Sequence, residues 1–253
     1  MNRPDAYILD LDGVVYRGRT VIPGACESID RLRSSGSRVV FLTNNATRTR
    51  EATARRLVDM GISCSAGDVI SSAYAASVYI KENHGNSTIY PVGEQGLVEE
   101  LERAGHTING LDADYVVVGL DREFTYEKLT RALDLLMNGA GFIATNNDAM
   151  LPTEHGFLPG AGSMVAAIQA ASDVVPYVIG KPNKPIMDVL LKEYGLKSGG
   201  CVMVGDRLET DILAGIRAGI RTVLVLTGAS GKEDIESSGI RPDTVLDSIA
   251  DLE

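Results

Sequence analysis

The chain has 253 residues, 44% hydrophobic and 23% charged, the composition of an ordinary globular protein with room for one large or two modest domains. Its formal net charge is -10 with no block of Lys or Arg, so nucleic acid is not an expected partner, and no apolar run approaches the roughly 18 residues that span a membrane. Charges at Arg3, Asp5, Asp10 and Asp12 fall where a signal peptide needs an apolar core, and Cys26, Cys64 and Cys201 are too scattered for a disulfide framework or zinc site, so a cytoplasmic protein is expected.

Ala6, Tyr7, Ile8 and Leu9 read as a short buried strand, closed by Asp10, Asp12 and Gly13. Residues two apart on an extended chain point the same way. Asp10 and Asp12 are therefore expected to converge at the carboxyl end of this strand, where open α/β sheets bind ligands. Taken alone, such a pair also fits a plain turn or the metal-binding D-x-D of a glycosyl-transfer enzyme. Val21-Ile22-Pro23-Gly24 turns into a helix with Ile29 and Leu32 inward and Gly36 as its end. A strand over 38–42 closes on Thr43-Asn44-Asn45, and a helix runs from about Thr49 to Gly61. A short strand at Val69 and Ile70 and a helix over 73–81 lead to a polar break, Asn83-His84-Gly85-Asn86.

A second run of units begins there: a strand over 88–90, a helix over 94–104, a strand over 115–118, a helix over 126–137 and a strand over 142–144. Residues 145–159 read as a long irregular loop, followed by a helix over 163–171. The first pattern is expected to resume with a strand over 177–179, then strands over 202–204 and 222–226 with a helix over 209–218 between them. A short strand near Val245 and a helical turn finish the chain. Strands alternating with helices imply parallel sheets. Breaks near 83 and 176 suggest a discontinuous domain, 1–82 and 177–253, with a second α/β domain, 83–176, inserted into it.

Three more polar endings close strands of the first pattern: Thr43-Asn44-Asn45, Gly180-Lys181-Pro182, and the segment Gly205-Asp206-Arg207-Leu208-Glu209-Thr210-Asp211. Each alone reads equally as a helix cap, a solvated loop lysine or a turn. Together they meet a chemical need. A carboxylate attacking a phosphate ester is an anion attacking an anion, at about 4 kcal/mol per unit pair at about 4 Å and an effective dielectric of about 20. Asp10 and Asp206 offer the oxygen ligands Mg²⁺ takes, Lys181 a cation for a phosphoryl oxygen, and Thr43 and Asn44 hydrogen-bond donors.

With these residues in this order, the chain resembles the haloacid dehalogenase-like (HAD) phosphatases. Asp10-Leu11-Asp12-Gly13-Val14 looks like their first motif, Thr43-Asn44 their second, the Lys181 of Gly-Lys-Pro their third, and the Gly205-Asp206 segment ending at Asp211 their fourth. More narrowly it is similar to the NagD-like, 4-nitrophenyl phosphatase branch, on the strength of L-D-G-V-V-Y-R-G, L-T-N-N-A-T, P-G-A-G-S, V-I-G-K-P and G-D-R-L-E-T-D-I. The resemblance implies a Rossmann-like three-layer α/β core with an inserted α/β cap of type C2. It implies a Mg²⁺-dependent phosphatase of small phosphorylated metabolites. In that reading Asp10 is the nucleophile and Asp12 the general acid and base, while Thr43, Asn44 and Lys181 bind the phosphoryl group. Asp10, the Asp12 backbone carbonyl and Asp206 hold the metal, with Asp211 behind them. The second aspartate favours phosphate ester hydrolysis, since release of halide needs no proton.

The cap is expected to choose the leaving group through the loop 146–157, with Met150, Glu154 and His155 as candidates, and to form a homodimer contact. The ordinary reading of a loop histidine is a solvated one. Gly160-Ala161-Gly162 is no dinucleotide fingerprint, because Pro159 precedes it in place of a strand and Val165 stands at its third position, and Gly231-Lys232 lacks the rest of a phosphate-binding loop. Asn45-Ala46-Thr47 and Asn86-Ser87-Thr88 fit the glycosylation pattern, which carries no meaning without a signal peptide. Two other functions fit the same residues: a phosphotransferase or mutase, and a phosphometabolite-binding protein that no longer turns over.

Overall fold

A computed structural model describes residues 3–153 and 156–252. In chain order the elements begin with β1 (Ala6–Leu9), β2 (Tyr16–Arg17), β3 (Thr20–Val21), α1 (Ala25–Ser34), β4 (Arg38–Thr43), α2 (Arg50–Asp59), β5 (Val69–Ser71) and α3 (Ser72–His84). They continue with β6 (Thr88–Val92), α4 (Gln95–Arg103), β7 (Thr107–Ile108), β8 (Tyr115–Val118), α5 (Tyr126–Met137), β9 (Gly141–Ala144), β10 (Met150–Thr153), β11 (Gly156–Pro159), α6 (Ala161–Ser172) and β12 (Tyr177–Val178). The last stretch holds α7 (Lys184–Glu193), β13 (Cys201–Gly205), α8 (Leu213–Ala218), β14 (Arg221–Val225), α9 (Lys232–Ser238) and β15 (Thr244–Leu246). No helix among the described residues is long and apolar enough to cross a membrane.

The chain divides into two compact units. The first comprises the residues up to Thr43, Glu51–Ile70 and those from Lys181 onward. Its sheet has the order β15-β14-β13-β1-β4-β5, with β1 paired in parallel to both β13 and β4. All four residues of β1 are buried, which is why the strand reads as an unbroken apolar run: helices cover both faces of such a sheet. On one face Leu9, Phe41, Val204 and Val223 pack with Ile29 and Leu32 of α1 and Leu57 of α2. On the other, Leu224 packs with Leu208 and Ile212. The register pairs Leu9 with both Phe41 and Val204, so the strands end within two residues of one another and the polar residues at their ends emerge on one edge.

The second unit is Asn44–Arg50 with Ser71–Gly180. Its own parallel sheet has the order β12-β9-β8-β6-β7. Val92, Val116, Val118, Leu135, Phe142, Val165 and Ile168 form its core. The segment 44–50 is held by this unit through the buried carboxylate of Glu100, which accepts the Arg50 N–H at 2.6 Å, and through Asn146 and Ser72, which donate to the Asn44 carbonyl at 2.9 and 2.7 Å.

The structure differs from the sequence reading in several places. The stretch expected as an irregular loop over 145–159 contains the antiparallel hairpin β10–β11, with Met150 opposite Pro159 and Leu151 opposite Leu158. Proline argues against a central strand, but a two-stranded ribbon is all edge and tolerates Pro152 and Pro159. Tyr177 and Val178 form a strand as expected, yet they pair with β9 of the second sheet. The first unit resumes at Lys181, and α3 lies with the second unit, so the units divide at 70/71 and 180/181 where the sequence breaks suggest 82/83 and 176/177. The hairpin β2–β3 and the helix α7 are additions.

Phe41, fully buried on β4, anchors the first core. Phe41→Ala is expected to destabilise that unit by about 3–5 kcal/mol, read as a lowered urea midpoint. The exposed Val58→Ala should stay within about 0.5 kcal/mol of the parent.

Candidate active site

Asp10 is the first residue past β1, and its backbone N–H donates to the Val204 carbonyl at 2.9 Å, which fixes the strand end from which its carboxylate projects. The Lys181 ammonium donates to Asp10 Oδ1 at 2.5 Å and to Asp211 Oδ1 at 2.7 Å. It also reaches the Leu42 carbonyl at 3.4 Å. Lys181 is only 3% exposed, so both ion pairs are made out of bulk water. Asp211 lies on a wide turn after β13, and its Oδ2 accepts the backbone N–H groups of Asp206 and Arg207 at 3.2 and 3.1 Å. One carboxylate thus closes its own loop and holds the lysine. Asp206 follows β13 directly and accepts the Ala229 N–H at 2.7 Å. Backbone must come very close here, at Gly13 as well as at two other glycines. A Cβ on Gly205 would collide with Asp211, and one on Gly228 would collide with Asp206.

Carboxylate oxygens of Asp10, Asp206 and Asp211 all lie within 4.8 Å of one another. Burial, opposed by Lys181, pushes the Asp10 carboxyl up to about 7, and the Asp211 charge adds to the rise. Asp206 rises to about 8, from burial and then from the charges of Asp211 and Asp10, with the Ala229 N–H working the other way. For Lys181 burial favours the neutral amine, but the charges of Asp10 and Asp211 outweigh it and keep the ammonium protonated. Three carboxylates against one ammonium leave two negative charges, since among the described residues Lys181 is the only cation in ion-pair contact with the trio. An all-oxygen donor set with that deficit fits a hard divalent cation.

The remaining expected site residues fall in two places. In the first unit, Asp12 is exposed and forms a backbone bridge with Tyr16, and Thr43 is buried at the end of β4, the strand next to β1. In the second unit, the Asn44 side-chain amide donates to Asp148 Oδ2 at 3.1 Å. Met150 there is 59% exposed on β10. Glu154 and His155 lie outside the described residues. So Asp10, Lys181, Asp206 and Asp211 meet in one cluster of the first unit.

Sequence reasoning missed the residues after β14. The Thr227 hydroxyl donates to the Gly13 carbonyl at 2.6 Å, Gly228 leaves room for Asp206, and the Ala229 N–H binds it. The sign was present: Thr227-Gly228 follows an apolar strand on the same sheet edge, as the other motifs do. Asp148 was also missed, within a loop that carries no periodic pattern.

The sequence matches a family model described as haloacid dehalogenase-like hydrolase over residues 7–107 and a second, HAD-hydrolase-like, over residues 178–252. It is 42% identical over 243 residues to the acid sugar phosphatase of Staphylococcus epidermidis, covering 96% of this chain and 94% of that one. It is 38% identical over 245 residues to the 5'-nucleotidase YutF of Bacillus subtilis, covering 97% and 96%. The fold is similar to that of a p-nitrophenyl phosphatase from Archaeoglobus fulgidus, with a TM-score of 0.94 at 36% identity over 98% of this chain and 97% of that one. NagD from E. coli K-12 gives 0.92 at 35% identity over 99% and 98%.

The raised carboxyls make stability depend on pH. In the metal-free protein Asp10 and Asp206 keep protons that the unfolded chain loses near pH 4. The folded state therefore binds more protons than the unfolded one between about pH 4 and 8, and its stability falls as pH rises through that window. A divalent cation binds the ionised form. The gain in Tm on adding MgCl₂ is expected to be small at pH 5 and several degrees larger at pH 8. An equal gain at both would count against a cation among these carboxylates.

Proposed function

Because the chain belongs to the haloacid dehalogenase-like hydrolases and is a phosphoric monoester hydrolase, we propose that it cleaves small phosphate monoesters through a phosphorylated Asp10. The observation that carries this reading is the buried contact between Asp10 and Lys181 beside Asp206 and Asp211. Lys181 engages Oδ1 of Asp10, so Oδ2 is the oxygen assigned to attack phosphorus. As that bond forms, the bond from phosphorus to the leaving oxygen breaks, and Asp12 supplies the proton the leaving oxygen takes. Asp12, now ionised, accepts a proton from a water molecule that attacks the acyl phosphate, which releases inorganic phosphate and restores Asp10. Lys181, the Thr43 hydroxyl and Asn44 are assigned to the phosphoryl oxygens.

Asp10, the Asp12 carbonyl and Asp206 would hold Mg²⁺, with Asp211 behind them, and the ion when bound supplies the positive charge that lets one anion attack another. Asp211 binds the Asp206 and Arg207 amides, which keeps the loop in place whether or not a cation is bound. The second unit, inserted in chain order between the parts of the first, is assigned the choice of leaving group, with Met150 as the residue to vary. The relatives are named for sugar phosphates, nucleotides and 4-nitrophenyl phosphate, which makes sugar phosphates and nucleoside monophosphates the substrates to test first.

Release of phosphate from 4-nitrophenyl phosphate and from a phosphometabolite panel is expected to require Mg²⁺ and to stop with EDTA. Asp10→Asn should lower turnover by about ten-thousand-fold or more while the protein stays folded. Trapping with beryllium fluoride should place one adduct on Asp10. An active Asp10→Asn enzyme, or an adduct elsewhere, would overturn the reading.

A further inference from the structure

Arg56, on α2, is half-buried and reaches the hairpin that follows Asp12. Its Nη2 donates to the Gly18 carbonyl, and its guanidinium lies over the Tyr16 ring at 4.7 Å from the centroid. Among the described residues its buried Nε has no hydrogen-bond partner. Gly18 forms the turn between β2 and β3 with φ 56, and its N–H faces the Asp12 carboxylate. The same hairpin is tied to the site a second time. Arg17 donates to the Thr227 carbonyl, the Thr227 hydroxyl donates to the Gly13 carbonyl, and the Gly13 N–H donates to the Tyr16 carbonyl at 2.7 Å.

Leaving a guanidinium N–H buried and unpaired gives up its hydrogen bond to water with nothing in return. A solvated surface arginine would not bear that cost. The arrangement makes sense when the place of the Gly18 peptide matters, because that peptide is the link between Arg56 and Asp12. The Asp12 carboxyl reaches solvent on one side, and on the other it meets the Gly18 N–H and the charges of Arg56, Arg17 and Arg207.

We propose that Arg56 is a positioning residue: through the Gly18 peptide and the Tyr16 ring it holds the Asp12 carboxyl where it can protonate the leaving oxygen. The inference rests on the role assigned to Asp12 above.

The test compares two leaving groups in kcat/KM, which covers the steps up to phosphorylation of Asp10. The 4-nitrophenolate ion departs without a proton, whereas the alkoxide of glycerol phosphate needs one. Arg56→Met is expected to lower kcat/KM for glycerol phosphate about tenfold or more and that for 4-nitrophenyl phosphate by less than about threefold, part of the 10²–10⁴ a general acid supplies. Arg56→Lys keeps a donor and the charge but loses the flat stack, and should fall between. The ratio of the two substrates, taken on one preparation, does not depend on the folded fraction. Asp12→Asn is the control and should widen the ratio further. If Asp12→Asn discriminates while Arg56→Met loses both activities equally, or neither, the inference is overturned and the role of Asp12 stands. If Asp12→Asn does not discriminate, that role falls and the inference falls with it.

Discussion

The structure of the site depends on a single ammonium shared by two buried carboxylates. Lys181 holds Asp10 and Asp211 at ion-pair distance, and neither its side chain nor that of Asp211 is more than 3% exposed. Removing one partner of such a buried pair typically costs about 3–5 kcal/mol, because the charge left behind has no water to turn to. With the lysine in place, Asp211 can spend its other oxygen on the Asp206 and Arg207 amides. The lysine thereby fixes the loop that presents Asp206. Ionised, the three carboxylates carry two negative charges more than the lysine offsets, and burial, with the neighbouring carboxylate charges added to it, raises the Asp10 and Asp206 carboxyls. The cluster is stable as built and still favours a further cation.

Strand ends supply the geometry. β1, β4 and β13 stop within two residues of one another, in registers that align Leu9, Phe41 and Val204. The residues one or two steps later, Asp10, Thr43 and Asp206, therefore emerge together on one edge. β14 adds Thr227, Gly228 and Ala229 at the same edge. Glycine at 205 and 228 is a packing requirement, since the carboxylates of Asp211 and Asp206 fill the space a methyl group would need. This is why apolar runs in this chain close on pairs such as Gly-Asp and Thr-Gly.

Much of this was legible in the sequence, for a physical reason. A buried parallel strand must be largely apolar, so the runs over 6–9, 202–204 and 222–226 stand out, and so does the polar residue that ends each of them. The placement of Asp10, Asp206 and Asp211 follows from those endings, while Lys181 comes after β12 of the other sheet. What was not legible depends on pairing partners. Tyr177 and Val178 look like any strand, and only the tertiary structure assigns them to the sheet of β9. The β10–β11 hairpin is hidden by its prolines. The hairpin of β2 and β3 is too short for a periodic signal, and Arg56 in α2 reads as one more exposed helix arginine. Thr43 and Asn44 read as one dipeptide, yet they belong to different units.

That division at Thr43 has a cause in the second sheet. Counted from Thr88 its strand order is 2-1-3-4-5, and sheets of this order place a ligand crevice beyond the carboxyl ends of the first and third strands, here β6 and β8. In this chain the crevice holds the protein's own backbone. A Cβ on Gly96, in the first turn of α4, would collide with the main chain of Thr47 and Arg48, and one on Gly119, after β8, would press on Ala46. Glu100, buried on α4, accepts the Arg50 N–H and so closes the far end of the same segment. The N-terminal end of α4, which in a nucleotide-binding sheet would face a phosphate, faces a peptide instead. The second sheet therefore has the architecture of a ligand-binding domain, with its crevice given to gripping residues 46–50. Thr43 is the last residue of β4, and the segment that follows it belongs to the second unit.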